Sequence, residues 1–271
     1  MHGLCLNRTG WNNQIDHVLR RCGETTQALS YDHRSHGDSA AAPVSTYRID
    51  QLADDLDHVL TALRVTGPVT LIGHSLGAMV ALTYVARPER TPSVAVQGLV
   101  LCATAAGRLP EHGLGRLLVT PALRGLVEVV DRVPTSAAAV LATPLRIALD
   151  RMRARGGIQR QTLTAVTASA LATTPLRTAV GFLPSLRDYD QHHSLGDITA
   201  HTTILSGGLD ALTPRAHAEA MARAIPGASH VHIPSAGHML PQQEPRVVGE
   251  AIAAAIEAAT AKRVAPVPVA S

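Results

Sequence analysis

The chain has 271 residues, 46% of them hydrophobic, which is enough to bury the core of one large domain or two small ones. One Trp and one Phe leave aliphatic side chains to fill that core, which suits helices packed on a buried parallel sheet. The formal charge of +3 and the few aromatic side chains argue against nucleic-acid binding, and no apolar run reaches the length of about 18 residues that a membrane span needs.

Strand-like and helix-like segments alternate in the first part of the chain. Apolar residues repeat every 3.6 positions in 49–65, as in an amphipathic helix, and Pro68 then breaks the chain. Further segments are predicted as strands at 25–31, 69–72 and 98–103 and as a helix at 76–86. This βαβαβ order predicts a parallel sheet and the α/β class.

Strand signals disappear after residue 107. The segment 108–190 is rich in Arg, Leu and Ala and is interrupted by six prolines, which predicts short helices that form a helical cap. The alternation then resumes with strands at 203–206 and 230–233 and helices at 216–224 and 246–261. The predicted organisation is an α/β core at 1–107 and 191–263, a cap at 108–190 and a disordered tail at 264–271.

The predicted cap is basic, with eleven arginines against four acidic residues in 108–187. Such a charge could attract an anionic substrate or partner. Because Lys262 is the only lysine, the arginines also fit an ordinary compositional bias on solvated helix faces, which we favour. The three cysteines form no metal-like or disulfide-like spacing, and with no signal sequence visible they favour a reducing, cytoplasmic location.

The segment Gly73-His74-Ser75-Leu76-Gly77 fits the pattern G-x-S-x-G of a nucleophile elbow. In that turn, small residues let a strained strand-to-helix connection hold the serine hydroxyl over the sheet. The pattern alone is weak evidence, but here it follows a predicted strand and opens a predicted helix. The N–H groups at the start of that helix would stabilise an oxyanion beside the hydroxyl.

A serine nucleophile needs a histidine base and a carboxylate that orients it. Asp210 follows the predicted strand 203–206, and His238 follows the predicted strand 230–233. Both therefore lie on loops at the carboxyl ends of strands, where parallel sheets place their sites. We predict Ser75, Asp210 and His238 as a catalytic triad, although a lone Asp is more often a helix cap and most of the fourteen histidines must be ordinary.

Together with these motifs, two further segments resemble the α/β-hydrolase superfamily. His2-Gly3-Leu4 resembles its HG turn, with Trp11 where an aromatic residue often follows, and 31–39 resembles its D-x-R-G-x-G-x-S turn, with Ser35 where Gly is usual. The similarity covers almost the whole chain outside the cap. It is strongest to capped serine esterases and lipases, including monoacylglycerol-lipase-like and cofactor-free haloperoxidase-like members.

The resemblance implies a mechanism without cofactor or metal. Ser75 would attack an acyl carbonyl of a small-molecule ester, and the backbone N–H groups of Leu4 and Leu76 would form the oxyanion hole. The turns that support them would be built by His2, Gly3, Gly73 and Gly77. Ser35 would add backbone strain without removing a catalytic group.

In relatives, three strands precede the HG turn, and the third lies beside the elbow strand. Here Met1 immediately precedes His2. We therefore expect either an upstream extension of the natural protein or a truncated relic, and we favour the extension because the triad and turns are intact. In the chain that begins at Met1, the elbow strand should then lack a ladder partner on one side, and Leu4 should be unanchored.

Three other functions stay open. One is hydrolysis of an acyl thioester, favoured if the basic cap attracts a carrier. Another is ligand binding without catalysis, and the third is an inactive truncated homologue. The histidine pairs at 33 and 36, 192 and 193, and 230 and 232 lack the Cys or carboxylate partners of a metal site, and no glycine cluster has the setting of a dinucleotide loop.

Overall fold

The computed structural model describes residues 1–24, 26–87, 94–132 and 174–264. The strands are Pro68–His74 (β1), Ala95–Cys102 (β2), His201–Gly207 (β3) and Ser229–Ile233 (β4). The α-helices are Asn12–Cys22 (α1), Ile49–Ala62 (α2), Leu76–Val85 (α3), Pro121–Arg132 (α4), Leu176–Gly181 (α5), Leu183–Asp188 (α6), Arg215–Ala224 (α7), Leu240–Gln243 (α8) and Pro245–Val264 (α9). None of the described helices combines the length and the apolar character that a membrane-spanning helix requires.

The four strands form one parallel sheet in the order β1-β2-β3-β4. Ile72 pairs with Val100, Leu101 with Ile204 and Leu205 with Val231. Because all strands run the same way, the residues that follow them meet at one edge of the sheet. That edge carries Ser75, Asp210 and His238.

The sheet is buried on both faces, and alternate residues of β2 show why. Leu99 and Leu101 pack against α2, α3 and α7, whereas Val100 and Cys102 pack against α1 and α9. Strands covered on both faces must be apolar throughout, and the five carboxyl-terminal residues of β2 are all buried. The predicted α/β class is confirmed by this helix-sheet-helix arrangement.

In the first third of the chain, one predicted strand is wrong and one helix was missed. No strand forms in 26–31, because this extended segment finds no ladder partner among the described residues. Conversely, 12–22 forms α1, a helix that the sequence analysis missed. The signal was present, since Ile15, Val18 and Cys22 recur at helical spacing and face the core formed with α9.

The predicted cap falls partly outside the described residues, because 133–173 are not described. The described parts, 108–132 and 174–190, contain helices, short 3-10 helices and turns. Phe182 at the end of α5 is fully buried and stacks on Tyr47 at 4.9 Å between ring centres. This part of the predicted cap therefore packs against residues of the predicted core. The predicted disordered tail also lies outside the described residues, except for Val264 at the end of α9.

Candidate active site

Ser75 occupies a sharp turn between β1 and α3. Its backbone has φ 51° and ψ −117°, a conformation that costs energy for a residue with a Cβ atom. The flanking glycines make this turn possible. A Cβ atom added to Gly73 would lie 2.3 Å from the Ala78 nitrogen, and one added to Gly77 would lie 2.5 Å from the Met1 carbonyl oxygen. A larger residue at either position would therefore force backbone atoms to shift.

Backbone contacts hold the turn on the end of β2. The Ser75 N–H donates to the Cys102 carbonyl at 2.9 Å, and the Thr104 hydroxyl donates to the Ser75 carbonyl at 2.9 Å. Ser75 itself is half-buried. Its position is thus fixed while its hydroxyl stays reachable.

His238 lies on the loop after β4, and its ring joins the other two predicted residues. Nε2 is 3.0 Å from the Ser75 Oγ, and Nδ1 is 2.9 Å from the Asp210 Oδ2. The imidazole is buried. The structure therefore brings together three side chains that are up to 163 residues apart in sequence.

Asp210 is held by donors on its own loop. The N–H groups of Leu212 and Thr213 each donate to Oδ1 at 2.9 Å, and the Thr213 hydroxyl donates to Oδ2 at 2.7 Å. Burial would raise the pKa of Asp210, but the charge and hydrogen bond of His238 and the donors of Thr213 outweigh it and lower the pKa. The carboxylate is therefore ionised at neutral pH.

The loops that carry Asp210 and His238 are bonded to each other. The Gly208 N–H donates to the Ile233 carbonyl and the Leu209 N–H to the Ala236 carbonyl, both at 2.9 Å. A Cβ atom on Gly207 would lie 2.4 Å from the Ala236 carbonyl oxygen. This close approach fixes the distance between the carboxylate and the imidazole.

The HG turn, His2-Gly3-Leu4, lies directly against the elbow. A Cβ atom on Gly3 would lie 3.3 Å from the Cβ atom of Ser75. In the described part of the chain, no residue accepts a hydrogen bond from the N–H of Leu4 or Leu76. Both predicted oxyanion donors are thus without a protein acceptor.

The expectation of an unanchored HG turn is wrong. The His74 N–H donates to the Met1 carbonyl at 3.1 Å, and the His33 N–H donates to the His2 Nε2 at 2.9 Å. His2 also contacts the Gly3 carbonyl through Nδ1 at 2.8 Å. Side-chain and backbone hydrogen bonds therefore anchor this turn.

Three buried imidazoles, His2, His33 and His36, pack together behind the HG turn. The ring centre of His2 lies 4.5 Å from that of His33 and 5.2 Å from that of His36. Burial lowers the pKa of His2 to about 3 and holds the pKa of His33 well below its usual value. These rings are neutral at physiological pH and act as packing groups with specific hydrogen bonds.

The turn at 31–39 tolerates Ser35 at the usual glycine position. Ser35 has φ 62°, so the predicted strain is present. Its hydroxyl accepts from the Ala42 N–H at 2.8 Å and from the Tyr47 hydroxyl at 3.0 Å. These two bonds, which glycine could not make, compensate for the backbone conformation.

One cavity in the described part of the chain is separate from these side chains. It has a volume of about 1260 Å³ and is lined by residues such as Ser35, Tyr47, Arg177 and Gln191, and none of the three triad residues lines it. Among the described residues, no three His, Cys, Asp or Glu side chains are placed to share a metal ion. His230 and His232 instead both contact the Ser206 hydroxyl, at 2.8 and 3.0 Å.

Sequence reasoning missed two residues that touch the site. His74 entered the sequence analysis only as a variable position of the elbow, and Thr213 did not enter it. His74 Nε2 is 2.7 Å from the His238 carbonyl oxygen. The only signal for either residue was its closeness in sequence to Ser75 or Asp210.

Comparison with known proteins agrees with this fold. A family model described as the alpha/beta hydrolase fold matches residues 1–245. The sn-1-specific diacylglycerol lipase ABHD11 of Mus musculus is 26% identical over 255 residues, 93% of this chain and 78% of the lipase. A putative carbamate hydrolase, RutD, of Klebsiella pneumoniae is 28% identical over 218 residues, 78% of this chain and 74% of that protein.

A solved structure gives the same result. The thermophilic esterase of Thermogutta terrifontis superposes with a TM-score of 0.71 at 26% identity, covering 95% of this chain and 88% of the esterase. The fold, the matched residues and these relatives agree with the resemblance in the elbow and the two turns. The chain therefore belongs to the α/β-hydrolase family, and the relatives to which it is similar include a lipase and an esterase.

Proposed function

We propose that the protein is a serine hydrolase that cleaves a carboxylic ester through an acyl-enzyme, with Ser75 as nucleophile, His238 as general base and Asp210 as the group that orients it. One observation carries the proposal: the continuous chain from the Ser75 Oγ through both nitrogens of His238 to the Asp210 carboxylate, at 3.0 and 2.9 Å. Asp210 is the carboxylate that accepts from Nδ1–H, and the Thr213 hydroxyl lies 3.3 Å from the same nitrogen. With the proton on Nδ1, Nε2 is free to take a proton.

The reaction would proceed in two steps. The Ser75 Oγ attacks the ester carbonyl carbon while its proton passes to His238 Nε2, and the N–H groups of Leu76 and Leu4 donate to the oxygen that gains negative charge. The C–O bond to the alcohol then breaks, and the alcohol leaves with the proton from Nε2. Water attacks the acyl group by the same route and releases the acid and Ser75.

An ester is favoured over an acyl thioester by the charges of the described cap residues. Three of its arginines pair with acidic groups: Arg108 with Asp190, Arg132 with Glu128 and Arg187 with Asp188. These pairs reduce the positive field that would select an anionic carrier. The names of the mouse lipase and the Thermogutta esterase also support an ester.

A hydrolysis panel tests this function. The wild-type protein and Ser75→Ala should be compared on short-chain, medium-chain and long-chain p-nitrophenyl esters, on diacylglycerol and on an acyl thioester. We expect turnover of at least one ester, abolished in Ser75→Ala. Preferential turnover of the thioester would favour the second substrate class. A folded wild-type protein without turnover on any substrate would favour ligand binding without catalysis.

We also propose a reducing compartment such as the cytoplasm as its location. All three cysteines are free thiols, and Cys5 and Cys102 are buried, so the fold needs no disulfide. Fractionation of cells that express the natural gene product would test this.

A further inference from the structure

His74 is the residue immediately before the proposed nucleophile, and its side chain points away from solvent. The ring is buried. Its Nε2 lies 2.7 Å from the carbonyl oxygen of His238, 164 residues away in sequence. Because a carbonyl only accepts hydrogen bonds, Nε2 carries the proton and Nδ1 does not.

The same ring touches both sides of the site. Its centre is 5.1 Å from that of the His238 ring. A Cβ atom on Gly3 would lie 2.9 Å from its Nδ1, which places the ring against the HG turn. His74 thus lies between the loop that carries the base and the turn that carries the Leu4 N–H.

An uncharged His74 ring is compatible with its position beside His238. Burial lowers the pKa of His74 to about 3, so the ring is uncharged at the pH at which esterases work. A cation here would oppose the positive charge that His238 acquires when it takes the proton from Ser75. A neutral N–H donor binds the His238 carbonyl without that cost.

We propose that His74 is a positioning residue that holds His238 in reach of Ser75 through the hydrogen bond from its Nε2–H to the His238 carbonyl oxygen. This inference rests on the proposed function, in which His238 is the base. Such a bond acts on the backbone of the base itself, which side-chain contacts with Asp210 and Ser75 do not restrain. A small displacement of His238 would lower turnover with little effect on substrate binding.

Two substitutions of similar shape separate positioning from packing. His74→Gln keeps an N–H donor at about the same reach, whereas His74→Met fills similar space without a donor. Tyr189→Phe serves as the matched control, because the buried Tyr189 hydroxyl donates to the Met79 carbonyl at 3.1 Å and touches none of the proposed catalytic groups. Loss of the Tyr189 hydroxyl removes a buried hydrogen bond to a backbone carbonyl, as loss of the His74 donor does.

The measurements are kcat, KM, the melting temperature, and the low-field proton NMR signal of the His238 Nδ1–H, assigned by its loss in His238→Gln. We expect His74→Met to lower kcat about tenfold or more, with KM nearly unchanged, and to shift or broaden the signal. His74→Gln should keep kcat within about threefold, since it keeps the donor. Tyr189→Phe should lower the melting temperature alone.

Equal losses of kcat in the Met and Gln variants, or a Met variant that behaves like Tyr189→Phe, would overturn the proposal. If His74→Met does not fold, His74→Asn, whose amide is too short to reach the carbonyl, replaces it. A wild-type protein that hydrolyses none of the esters would refute the proposed function instead. The NMR arm would still decide: an unchanged His238 signal in His74→Met contradicts positioning, and a shifted one supports it.

Discussion

The acid loop, residues 208–214, and the HG turn, His2-Gly3-Leu4, are fixed by opposite kinds of interaction. In the acid loop, an ionised Asp210 accepts from two backbone N–H groups and one hydroxyl besides His238. The HG turn is held by imidazoles that are buried and neutral, above all His2 and His33. One side of the proposed site therefore depends on a charge, and the other depends on the absence of charge.

This difference predicts how each side fails. Removal of a donor from the acid loop leaves a buried carboxylate less well satisfied, which weakens catalysis by degrees. The HG turn fits so closely against the elbow that a larger side chain at the contact should displace it. Acid weakens folding through these histidines before it does so through Asp210, since in the unfolded chain they take up protons at about pH 6.5, well above the pKa of a free carboxyl group.

The largest effect should come from breaking the link that the acid loop supports. His238→Gln removes the proposed base, and we expect kcat to fall about 10⁴-fold or more, measured as ester hydrolysis at neutral pH. His230→Gln is the control, because His230 contacts Ser206 on the sheet and none of the proposed catalytic residues. Equal activity of the two variants would contradict the assignment of His238.

On the other side of the site, Gly77→Ala should displace the HG turn. The new Cβ atom would lie 2.5 and 2.6 Å from the carbonyl oxygens of Met1 and His2, both backbone atoms that must shift. We expect kcat to fall about 10²-fold, as for loss of an oxyanion donor. In Gly196→Ala, the added Cβ atom meets no atom within 4 Å, so this variant should keep wild-type kcat. Retained activity in Gly77→Ala would show that the HG turn does not assist the reaction.

A smaller effect should follow from Thr213→Val, which removes the hydroxyl donor to Asp210 Oδ2 while keeping the side-chain shape. We expect kcat to fall about tenfold, the size of one hydrogen bond to a charged group. Thr213→Ser keeps the hydroxyl and should restore most of the activity. If Val and Ser lower kcat alike, the methyl group matters rather than the donor.

The last test concerns stability rather than turnover, through its dependence on pH. His2 and His33 have folded pKa values below that of a free histidine, about 6.5, so the unfolded chain binds more protons as the pH falls. Their contribution to stability is thus complete above about pH 6.5 and is lost progressively as the pH falls, for His2 down to about 3. The free energy of unfolding should fall by about 1.4 kcal/mol per pH unit for each such histidine.

Urea unfolding between pH 7 and pH 4 measures this slope. The free energy of unfolding should change less steeply with pH in His33→Gln, because glutamine cannot take up a proton. A free energy of unfolding that stays constant over this range would show that the imidazoles behind the HG turn are accessible to protons in the folded state.

Local patterns predicted the elbow and the helices that flank it well. Ser75 and its glycines form one continuous motif, and the spacing of Leu52, Leu56 and Leu60 marks α2, whose buried face they form. The strands β3 and β4 were predicted shorter than they are but at the right places. These features depend on neighbours in sequence, so the sequence carries them directly.

Contacts between distant segments could not be predicted in the same way. The segment 25–31 has strand-like residues, but a strand also needs a partner, and sequence does not show whether one is present. Likewise, the bond from His74 to His238 depends on the loop after β4 returning to the elbow. From the sequence, Ser35 was expected only to add backbone strain. The hydrogen bonds that its hydroxyl accepts from Ala42 and Tyr47 could not be predicted.

The central claim is that His238 and Asp210 activate Ser75. Reaction with a fluorophosphonate probe, followed by mass spectrometry of the peptide that contains Ser75, tests it directly. We predict one covalent adduct on Ser75 in the folded wild-type protein, none in Ser75→Ala, and much slower labelling in His238→Gln. A folded wild-type protein that stays unlabelled at Ser75, or one labelled equally fast without His238, would contradict the account.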